Sequence, residues 1–405
     1  MKRSWFFAMV ALALSGAGAD WRQFRGPAGS GIAPHETAPV VFGSANDIAW
    51  KVELPGRGLS SPIVVGDRIF LTASSGPKQD RLHVLAFDAK DGKKLWQRTV
   101  WATGPTDSHP KSCMAAPTPA SDGRRLIALF GTNDLLCLDL DGNVQWIRAL
   151  YEENSGATDG RGLASSPIIV GETAIALVEN QNNSFAAGID LNTGKNRWRI
   201  QRPTQMNWTT PLVLPGRGGA GDLVLLQGMT RVSACDPMTG REVWGLDQGA
   251  HPIASGAING TTLYVPANKG LTAFQIVAAS PPKTLWEQPK LSPSTASPVV
   301  QNGRIYSLRG SILVNGEVKT GEVKSQLRLK GMFSSSLVAS GGLLYCFNEE
   351  GLAHIVRPGD KDDTLVATVP LGETILCTPA IANGAIYVRS DKHLWKIGKS
   401  SQDRN

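Results

Sequence analysis

The chain has 405 residues and carries 41 Lys and Arg against 34 Asp and Glu, a formal net charge of +7. The basic residues are scattered, with no run of five or more, which argues against a nucleic-acid partner or an anionic membrane surface. Its five cysteines show no C-x-x-C or C-x-x-C-H spacing, so neither a cysteine metal site nor a c-type haem attachment is indicated.

The first nineteen residues have the composition of a secretory signal peptide. Two basic residues, Lys2 and Arg3, precede a short apolar run, and the run ends in small residues that include Ala19. We predict cleavage after Ala19 and export of a soluble mature protein, periplasmic or secreted. No cysteine follows the apolar run, so a lipoprotein anchor is not expected. No later stretch approaches the length of a membrane-spanning helix.

Two elements precede the first repeat of the chain. Residues 20–45 predict an extended arm, which we expect Trp21 and Phe24 to hold against the rest of the protein. The next stretch, NDIAWKVELP at 46–55, has the pattern of a strand that carries Trp50. It is an orphan at this point of the chain, because no neighbouring stretch provides its partner.

An internal repeat fills most of the remaining sequence. GRGLSSPIVVG at 56–66 recurs as GRGLASSPIIVG at 160–171, and six other stretches give the same order of small residues, strand, turn and second strand. The eight repeats begin at residues 60, 115, 165, 209, 254, 296, 335 and 377. Pro62 and Pro379 lie 317 residues apart, so seven intervals give a period of roughly 45 residues. This period in a chain of short β-branched strands predicts four-stranded propeller blades.

The second half of the early repeats ends in a shared turn and a tryptophan. The stretches are LAFDAKDGKKLW (85–96), CLDLDGNVQW (137–146), GIDLNTGKNRW (188–198) and ACDPMTGREVW (234–244). Asp bonds the turn backbone and Gly accepts the positive φ of such turns. We expect each Trp to cover apolar surface where neighbouring blades meet. The pattern decays later: Ser325 stands where Trp is expected after Gly321, and VAASPPK (277–283) replaces the turn of blade five.

The last repeat is incomplete in a way that predicts closure of a ring. Residues 377–400 supply three strands, and the orphan strand at 46–55 supplies a fourth. Pairing the two ends completes an eighth blade and removes two open sheet edges. The sequence therefore predicts an all-β fold, an eight-bladed β-propeller of four-stranded antiparallel blades over residues 46–400, followed by a tail at 401–405.

The cysteines fall mostly in different repeats. The five are Cys113, Cys137, Cys235, Cys346 and Cys377, and only Cys113 and Cys137 share a repeat. We expect buried thiols with at most one disulfide, although an exported protein would allow more. Cys113 has no sequence neighbour that implies a thiolate, so we expect a small packed residue there.

The turn-and-tryptophan unit resembles the repeat of pyrroloquinoline-quinone (PQQ) propellers, a superfamily that includes quinoprotein alcohol dehydrogenases and BamB, a lipoprotein of outer-membrane barrel assembly. The stretches WRQFRGPAGSGI (21–32), AWKVELPGRGLSSPIVVGDRIFLT (49–72), HPKSCMAAPTP (109–119) and VENQNNSFAAGIDLNTGKNRW (178–198) resemble a group of exported PQQ-like propeller proteins. The resemblance spans essentially the whole mature chain and implies the fold. It leaves the chemistry open, because one fold hosts many functions. The dehydrogenases hold PQQ and Ca²⁺ on the propeller axis, but their metal ligands match no motif of this chain.

Candidate binding residues precede or enter the innermost strands. DSHPKSCMAAP (107–117) leads into blade two, where His109 and Lys111 would reach the axial channel. Because His titrates near neutrality, the pair would form an anion or proton-transfer site. The alternative is a pair of solvated loop residues.

Amide and aromatic side chains give a second set of candidates. Asn207 and Trp208 precede the inner strand of blade four, so Trp208 would be either an axial stacking platform or a core residue. Asn180 begins a cluster of amides, ENQNNS at 179–184, that would suit the hydroxyl groups of a sugar or the polar groups of a peptide. The alternative for Asn180 is an ordinary turn.

The connections from the outer strand of one blade to the inner strand of the next give the last three candidates. Arg57 and Arg161 lie in the paired GRGL stretches, where flanking glycines would let each guanidinium reach the channel mouth and bind a carboxylate. Bonding to turn carbonyls is the equal alternative. His251 lies in a similar connection between blades and has the same two interpretations, a ligand-binding residue at the channel mouth or a residue bonded to the turn.

The combined pattern favours a binding or scaffold protein. We expect a monomer that binds a protein partner or a small ligand at the channel mouth, with no nucleic-acid partner, no cofactor and no metal. The alternative is a PQQ-dependent oxidoreductase that uses PQQ with calcium. Catalytic residues are not identified.

Overall fold

The computed structural model describes residues 20–40, 42, 47–158, 160–216, 221–277 and 280–398. Their regular structure is almost entirely β-strand. The expected signal peptide, parts of the arm and the C-terminal tail lie outside these residues. Within the described residues, no helix combines the length and apolarity needed to cross a membrane.

Eight sheets form the molecule, and each corresponds to one repeat. Two strands precede the repeats: β1 (Ile32–Ala33) and β2 (Ile48–Glu53). Blade one contains β3 (Ile63–Val65), β4 (Arg68–Ser75), β5 (Arg81–Asp88) and β6 (Lys94–Trp101). Blade two contains β7 (Ala120–Ser121), β8 (Arg125–Leu129), β9 (Asp134–Asp139) and β10 (Val144–Ala149), and blade three contains β11 (Ile168–Val170), β12 (Thr173–Val178), β13 (Phe185–Asp190) and β14 (Asn196–Gln201). Blade four contains β15 (Leu212–Leu214), β16 (Leu223–Leu226), β17 (Val232–Cys235) and β18 (Glu242–Leu246).

The remaining blades continue the series. Blade five contains β19 (Ala257–Asn259), β20 (Thr262–Ala267), β21 (Gly270–Val277) and β22 (Ser280–Gln288), and blade six contains β23 (Val299–Gln301), β24 (Arg304–Arg309), β25 (Ile312–Glu317) and β26 (Val323–Arg328). Blade seven contains β27 (Val338–Ser340), β28 (Leu343–Phe347), β29 (Leu352–Arg357) and β30 (Thr364–Pro370). The last three strands are β31 (Ala380–Ala382), β32 (Ala385–Arg389) and β33 (His393–Ile397). The helical elements are α1 (Leu150–Glu153) and two 3-10 helices, Pro27–Gly29 and Pro289–Leu291.

The two ends of the chain close the ring as predicted. Strand β2 pairs antiparallel with β33, with Lys51 opposite Trp395 and Val52 opposite Leu394, so the eighth sheet has the order β2-β33-β32-β31. The inner and middle strands of the blades are largely buried, whereas the outermost strands consist mostly of exposed and half-buried residues. This burial places the cores between adjacent blades. The predicted eight-bladed, all-β architecture is confirmed.

The shared turns form through local hydrogen bonds of the kind that the sequence predicted. The Asp190 carboxylate accepts the backbone N–H groups of Asn192 (3.0 Å) and Thr193 (2.8 Å). Asp236 accepts those of Met238 and Thr239, both at 2.9 Å. Because these bonds satisfy the turn backbone, the hairpin that links the two outer strands is set by four or five consecutive residues.

Three of the four shared tryptophans, Trp96, Trp146 and Trp198, dock onto the turn of the following blade. Trp198 of blade three donates its indole N–H to the Pro237 carbonyl of blade four at 2.8 Å. A Cβ added to Gly240 would lie 2.6 Å from the Trp198 ring, so the indole packs directly on the glycine of that turn. Equivalent indole N–H bonds run from Trp50 to Ala89, from Trp96 to Leu140, from Trp146 to Leu191 and from Trp286 to Val318. These docked rings tie successive blades together.

The irregular repeats follow from this pairing of blades. Blade five lacks the shared turn, and the indole nitrogen of Trp244 in blade four accordingly has no hydrogen-bond partner among the described residues. Blade six has Ser325 in place of a docking tryptophan. Its hydroxyl donates to the Asp363 carboxylate of blade seven at 2.5 Å, and Asn315 donates to the same carboxylate at 3.1 Å. Hydrogen bonds thus replace aromatic docking between blades six and seven.

The N-terminal arm crosses one face of the disc, here named the lower face. Trp21 forms an isolated bridge with Val64 of blade one, and its side chain is buried. Farther along, β1 pairs parallel with β27, which makes blade seven a five-stranded sheet. This extra strand departs from the four-stranded prediction for one blade. It arises because the arm covers an inner strand edge that would otherwise lie bare.

The cysteine side chains are all buried and free of disulfide bonds. Burial raises the pKa of the Cys137 thiol to about 12 and that of Cys235 to about 11. The single disulfide that the sequence allowed for Cys113 and Cys137 is absent. These thiols serve as small packed residues between the blades.

Candidate functional site

Two rings of side chains line the propeller axis. Every blade has a Ser or Thr just before the shared proline of the repeat, or before the residue that replaces this proline. These eight residues form the hydroxyl ring: Ser61, Thr118, Ser166, Thr210, Ser255, Ser297, Ser336 and Thr378. Two residues earlier in each blade lies a member of the upper ring: Leu59, Ala116, Ala164, Trp208, Ile253, Thr295, Ser334 and Leu376. The spacing of two follows from extended backbone, in which alternate side chains point the same way.

The hydroxyl ring links the blades through a chain of hydrogen bonds. The backbone N–H of Ser61 donates to Thr118 Oγ1 at 2.9 Å, and that of Thr118 donates to Ser166 Oγ at 2.9 Å. The same bond repeats through blades three to eight at 2.9–3.2 Å. The Ser61 hydroxyl, which would receive the eighth bond, has no partner among the described residues. Each bond satisfies a buried backbone N–H that would otherwise be costly.

The two rings enclose a small cavity on the axis, here named the axial chamber. Its volume is about 130 Å³, and Phe24 of the arm and Cys377 of blade eight complete its lining. Every residue of the upper ring except Ala116 is at least partly exposed, so the chamber opens to solvent through the upper ring. The upper ring is largely apolar, whereas the lower one consists of hydroxyl groups.

A long connection covers part of the opposite, upper face. Residues 102–114, here named the mouth segment, join blade one to blade two. Arg57 Nη2 donates to the Pro110 carbonyl at 2.9 Å, and His109 N donates to the Arg161 carbonyl at 3.1 Å. Lys111 Nζ reaches the Glu349 carboxylate of blade seven at 2.9 Å. The mouth segment is therefore bonded to the connections that lead into blades one and three and to blade seven.

Four of the sequence candidates meet at this segment: Arg57, His109, Lys111 and Arg161. The side chains of His109 and Lys111 are exposed. Burial opposes ionisation of Glu349, but hydrogen bonds from Lys111 and Ser334 outweigh it and lower the pKa of this carboxyl group. The Lys111–Glu349 contact is thus a charged pair at neutral pH. Arg57 holds the segment through a carbonyl, the alternative role that its sequence position allowed.

Trp208 is the one candidate that lines the axial chamber. Its indole N–H donates to the Gly162 carbonyl at 2.9 Å, and its backbone N–H donates to the Pro252 carbonyl at 2.7 Å. These bonds fix the ring between the Arg161 and His251 connections. Trp208 is a wall of the chamber rather than an outer-strand docking residue.

Asn207 points away from the chamber and is fully buried. Its amide donates to Glu179 Oε2 at 2.9 Å and to the Gln227 carbonyl at 2.6 Å, while Arg202 donates to Glu179 Oε1 at 2.5 Å. Burial raises the pKa of Glu179, and Arg202 opposes that rise. The side-chain amide of Asn207 is fully engaged inside the protein, so Asn207 stabilises the fold instead of facing a ligand.

Asn180 and His251 occupy turns beside the upper face. Asn180 Oδ1 accepts the backbone N–H groups of Asn182 (2.8 Å) and Asn183 (2.9 Å), so it forms the turn that was its alternative interpretation. His251 Nδ1 accepts the backbone N–H of Ile253 at 3.3 Å, and burial lowers its pKa. Both residues therefore shape connections near the mouth.

The sequence interpretation overlooked the hydroxyl ring. The signal was present, because all eight repeats have Ser or Thr at one position, next to the shared proline in six of them. Small Ser and Thr side chains next to a proline are common in turns and packed positions, so this position did not stand out as a binding site. Two buried arginines behind the rings, Arg25 and Arg389, were also missed, since neither lies in a repeated motif.

The residues that the structure describes contain no group of three or more His, Cys, Asp or Glu that could hold a metal ion. Calcium prefers six to eight oxygen ligands, usually with several carboxylates. The buried carboxylate of Glu179 has both oxygens engaged by Arg202 and Asn207. The described site thus does not fit a calcium-bound quinone.

Known proteins similar to this chain fall into two groups. In sequence, the chain is 24% identical over 238 residues to an outer membrane protein assembly factor BamB of Alkalilimnicola ehrlichii, covering 55% of this chain and 52% of that protein. The chain therefore spans about half the length of this curated relative.

Solved structures share the fold at low sequence identity. BamB from Moraxella catarrhalis has a TM-score of 0.62 at 18% identity, over 86% of this chain and 97% of that one. A europium-containing methanol dehydrogenase has a TM-score of 0.65 at 14% identity, over 93% and 90% of the two chains. The quinohemoprotein alcohol dehydrogenase of Comamonas testosteroni has a TM-score of 0.66 at 11% identity, over 94% and 81%.

A family profile agrees with the repeated blades and gives the classification. The profile described as outer membrane protein assembly factor BamB matches residues 40–217 and 228–360, which is well over half of the sequence. Those residues include the docked tryptophans and seven members of the hydroxyl ring. The chain therefore belongs to this PQQ-propeller family, whose description is outer membrane protein assembly factor BamB.

Proposed function

We propose that this protein is an extracytoplasmic scaffold that binds a protein partner in outer-membrane protein assembly. The observation that carries the proposal is the mouth segment, which crosses the upper face and presents exposed His109 and Lys111 on a rigid ring. Loops held by a rigid scaffold are where binding residues concentrate. Membership of the BamB family supports a partner of this class.

The bonds of the mouth segment suit it to recognition. Lys111 pairs with Glu349, and His109, two residues earlier, is tied by its backbone to the Arg161 carbonyl. A connection held by such contacts loses less conformational freedom when a partner binds, which favours affinity. Met332, which lies next to the Glu349 backbone, is 55% exposed and supplies apolar area beside these polar groups.

Deletion of the gene in the native host tests the proposed role. We expect the amount of folded outer-membrane β-barrel protein, measured by heat-modifiable electrophoresis, to fall and to be restored by the wild-type gene. The His109→Glu variant should restore it poorly. Lys93→Glu, an exposed change in the β5–β6 turn on the lower face, is the matched control and should restore it fully. Unchanged barrel levels after deletion would refute the proposal.

The proposed location has its own measurement. The N-terminal residues 1–19 fit a signal peptide, and BamB relatives assist outer-membrane assembly by their description. We expect the protein in the periplasmic fraction of the native host, with an N-terminus at Asp20 by mass spectrometry. Recovery of the uncleaved chain from the cytoplasm would contradict export.

Structural likeness to two alcohol-oxidising enzymes favours a second candidate, a PQQ-dependent oxidoreductase. The axial chamber of about 130 Å³ is small for a tricyclic quinone, and the described residues offer no calcium ligand group. Incubation with PQQ and Ca²⁺ followed by a dye-reduction assay with primary alcohols distinguishes the two candidates. Alcohol-dependent dye reduction that requires added PQQ would favour the enzyme.

A further inference from the structure

The hydroxyl ring has hydrogen-bond donors that the protein does not use. Seven of its side-chain oxygens accept a backbone N–H from the preceding blade. None of the eight hydroxyl groups donates a hydrogen bond to any residue that the structure describes. Because a Ser or Thr hydroxyl carries one proton to donate, eight O–H donors line the axial chamber without an acceptor among the described residues.

A positive charge lies behind this ring between blades eight and one. Arg389 is 1% exposed, and its Nη1 donates to Ser60 Oγ at 3.0 Å and to the Thr72 carbonyl. Its Nε and Nη2 atoms have no partner among the described residues. Ser60 precedes Ser61 of the hydroxyl ring, so the guanidinium adjoins the one place where the ring of hydrogen bonds is open.

A second buried guanidinium stands on the other side of the axis. Arg25 of the arm is fully buried and donates to the Gly256 carbonyl at 2.9 Å and to the Pro298 carbonyl. Those two residues directly follow Ser255 and Ser297 of the hydroxyl ring. Neither Arg25 nor Arg389 has a carboxylate within salt-bridge distance in the described part of the chain. A buried charge without a counter-charge is costly, so an anion nearby would be stabilising.

The chamber itself carries no acidic side chain that would repel an anion. Its upper ring is largely apolar, with Leu59, Trp208 and Leu376 facing the hydroxyl ring across the cavity. The chamber thus has one end rich in hydroxyl donors, with the two buried guanidinium groups behind it, and a largely apolar end. A complementary ligand has an anionic head and a hydrocarbon tail.

We propose that the axial chamber binds a short-chain aliphatic carboxylate. The carboxylate accepts O–H hydrogen bonds from the hydroxyl ring, and the alkyl chain packs against the apolar side chains of the upper ring. The volume of about 130 Å³ limits the ligand. An engineered protein cavity of about 150 Å³ binds benzene, and butyrate has the same number of non-hydrogen atoms as benzene. The site is separate from the upper-face surface proposed for a protein partner, and neither requires the other.

Isothermal titration calorimetry of the mature protein with sodium butyrate tests the site. We expect saturable binding with one ligand per chain. Butyramide and 1-butanol, which match its size but lack the charge, should bind at least about tenfold more weakly, because hydrogen bonds to a charged group are the stronger ones. Sodium chloride at equal ionic strength should not compete, because it lacks the alkyl chain.

Two variants link binding to the chamber. Ser61→Ala removes one O–H donor without leaving a backbone N–H unpaired, because the Ser61 oxygen accepts no bond. It should weaken butyrate binding about tenfold or more at an unchanged melting temperature. Ala164→Phe places a ring in the chamber and should abolish binding. Ser74→Ala, outside the chamber, is the control and should bind butyrate as the wild type does.

The alternatives give distinct results. Equal binding of butyrate and 1-butanol would show a purely apolar cavity, and chloride competing as well as butyrate would show an unselective halide site. Either outcome overturns the proposal. Absence of saturable butyrate binding by the folded protein overturns it too, as does butyrate binding that survives Ala164→Phe in a variant with native circular dichroism.

Discussion

Tryptophans between neighbouring blades differ in whether the indole N–H forms a hydrogen bond to the next blade. Trp198 donates to the Pro237 carbonyl of the next blade, whereas the Trp244 nitrogen has no partner among the described residues. Both rings are buried. Substitution by Phe removes a similar apolar area from each site but breaks a hydrogen bond only at Trp198.

We expect Trp198→Phe to lower the free energy of unfolding by about 1–2 kcal/mol more than Trp244→Phe, because only the first leaves a buried carbonyl unpaired. Urea unfolding followed by far-ultraviolet circular dichroism measures the difference. Equal effects of the two substitutions would show that the indole N–H bond adds nothing to docking.

The glycine beneath each docked ring offers a second test at a single residue. Gly240 has a φ of 69°, and a Cβ there would lie 2.6 Å from the Trp198 ring. Gly260 has a φ of 59° but open space around a Cβ. Both positions impose the left-handed conformation on any substituent, but only Gly240 adds a steric clash.

Gly260→Ala should therefore cost about 1 kcal/mol of unfolding free energy, and Gly240→Ala clearly more, because it also displaces the indole. The same urea titration reports both values. If the two alanine variants were equally stable, the ring would have room to shift and the close packing would be unimportant.

Short-range features were readable from the sequence, and their physics explains why. The turn that begins at Asp190 is held by bonds to residues two and three positions away, so its letters alone predict it. Arg25, in contrast, bonds carbonyls more than 230 residues away. A lone arginine in an arm gives no local sign of such a partner. The path of the mouth segment to Glu349 was unreadable for the same reason.

At the scale of elements, the carboxylate of Glu373 holds the N-terminal strand β2 to its partner strand β33. Glu373, in the connection between β30 and β31, accepts Lys51 of β2 at 2.7 Å and lies 2.9 Å from His393 of β33. Burial opposes its ionisation, but the hydrogen bonds from Lys51, Ser390 and His393 outweigh it and lower the pKa to about 2. The folded protein therefore stabilises the ionised form of Glu373 relative to the protonated form.

A folded pKa below the unfolded one gives stability that is present above about pH 4.3, the ordinary value for Glu. It is lost as the pH falls through about 2. At neutral pH, Glu373→Gln should be less stable than the wild type by about 1 kcal/mol, a value limited by solvent screening. The difference should shrink between pH 4.3 and pH 2. Urea titrations of both proteins across this range measure it, and a difference independent of pH would contradict the role of the charge.

The arm and the closing strand β2 have separate structural roles, although they are adjacent in the chain. The arm covers the β27 edge and the lower end of the axial chamber, where Phe24 lines it. Strand β2 instead fills a gap in the ring itself. The sequence indicated this closing strand, because the last repeat lacked one strand and the first had one in excess.

At the scale of the whole molecule, stability depends on the ring being closed, because each blade buries its faces only against its neighbours. Removal of residues 20–40 leaves all eight blades complete, so that variant should stay folded, with a lower melting temperature and the oligomeric state of the full protein. Removal of residues 20–53 also takes away β2 and bares the long β33 edge, which other chains would pair with. Size-exclusion chromatography of the two truncated proteins should give the oligomeric state of the full protein for the first and larger species for the second. A stable monomer that lacks β2 would mean that seven blades and three strands suffice, and that the joining of the two chain ends is not what holds the propeller together.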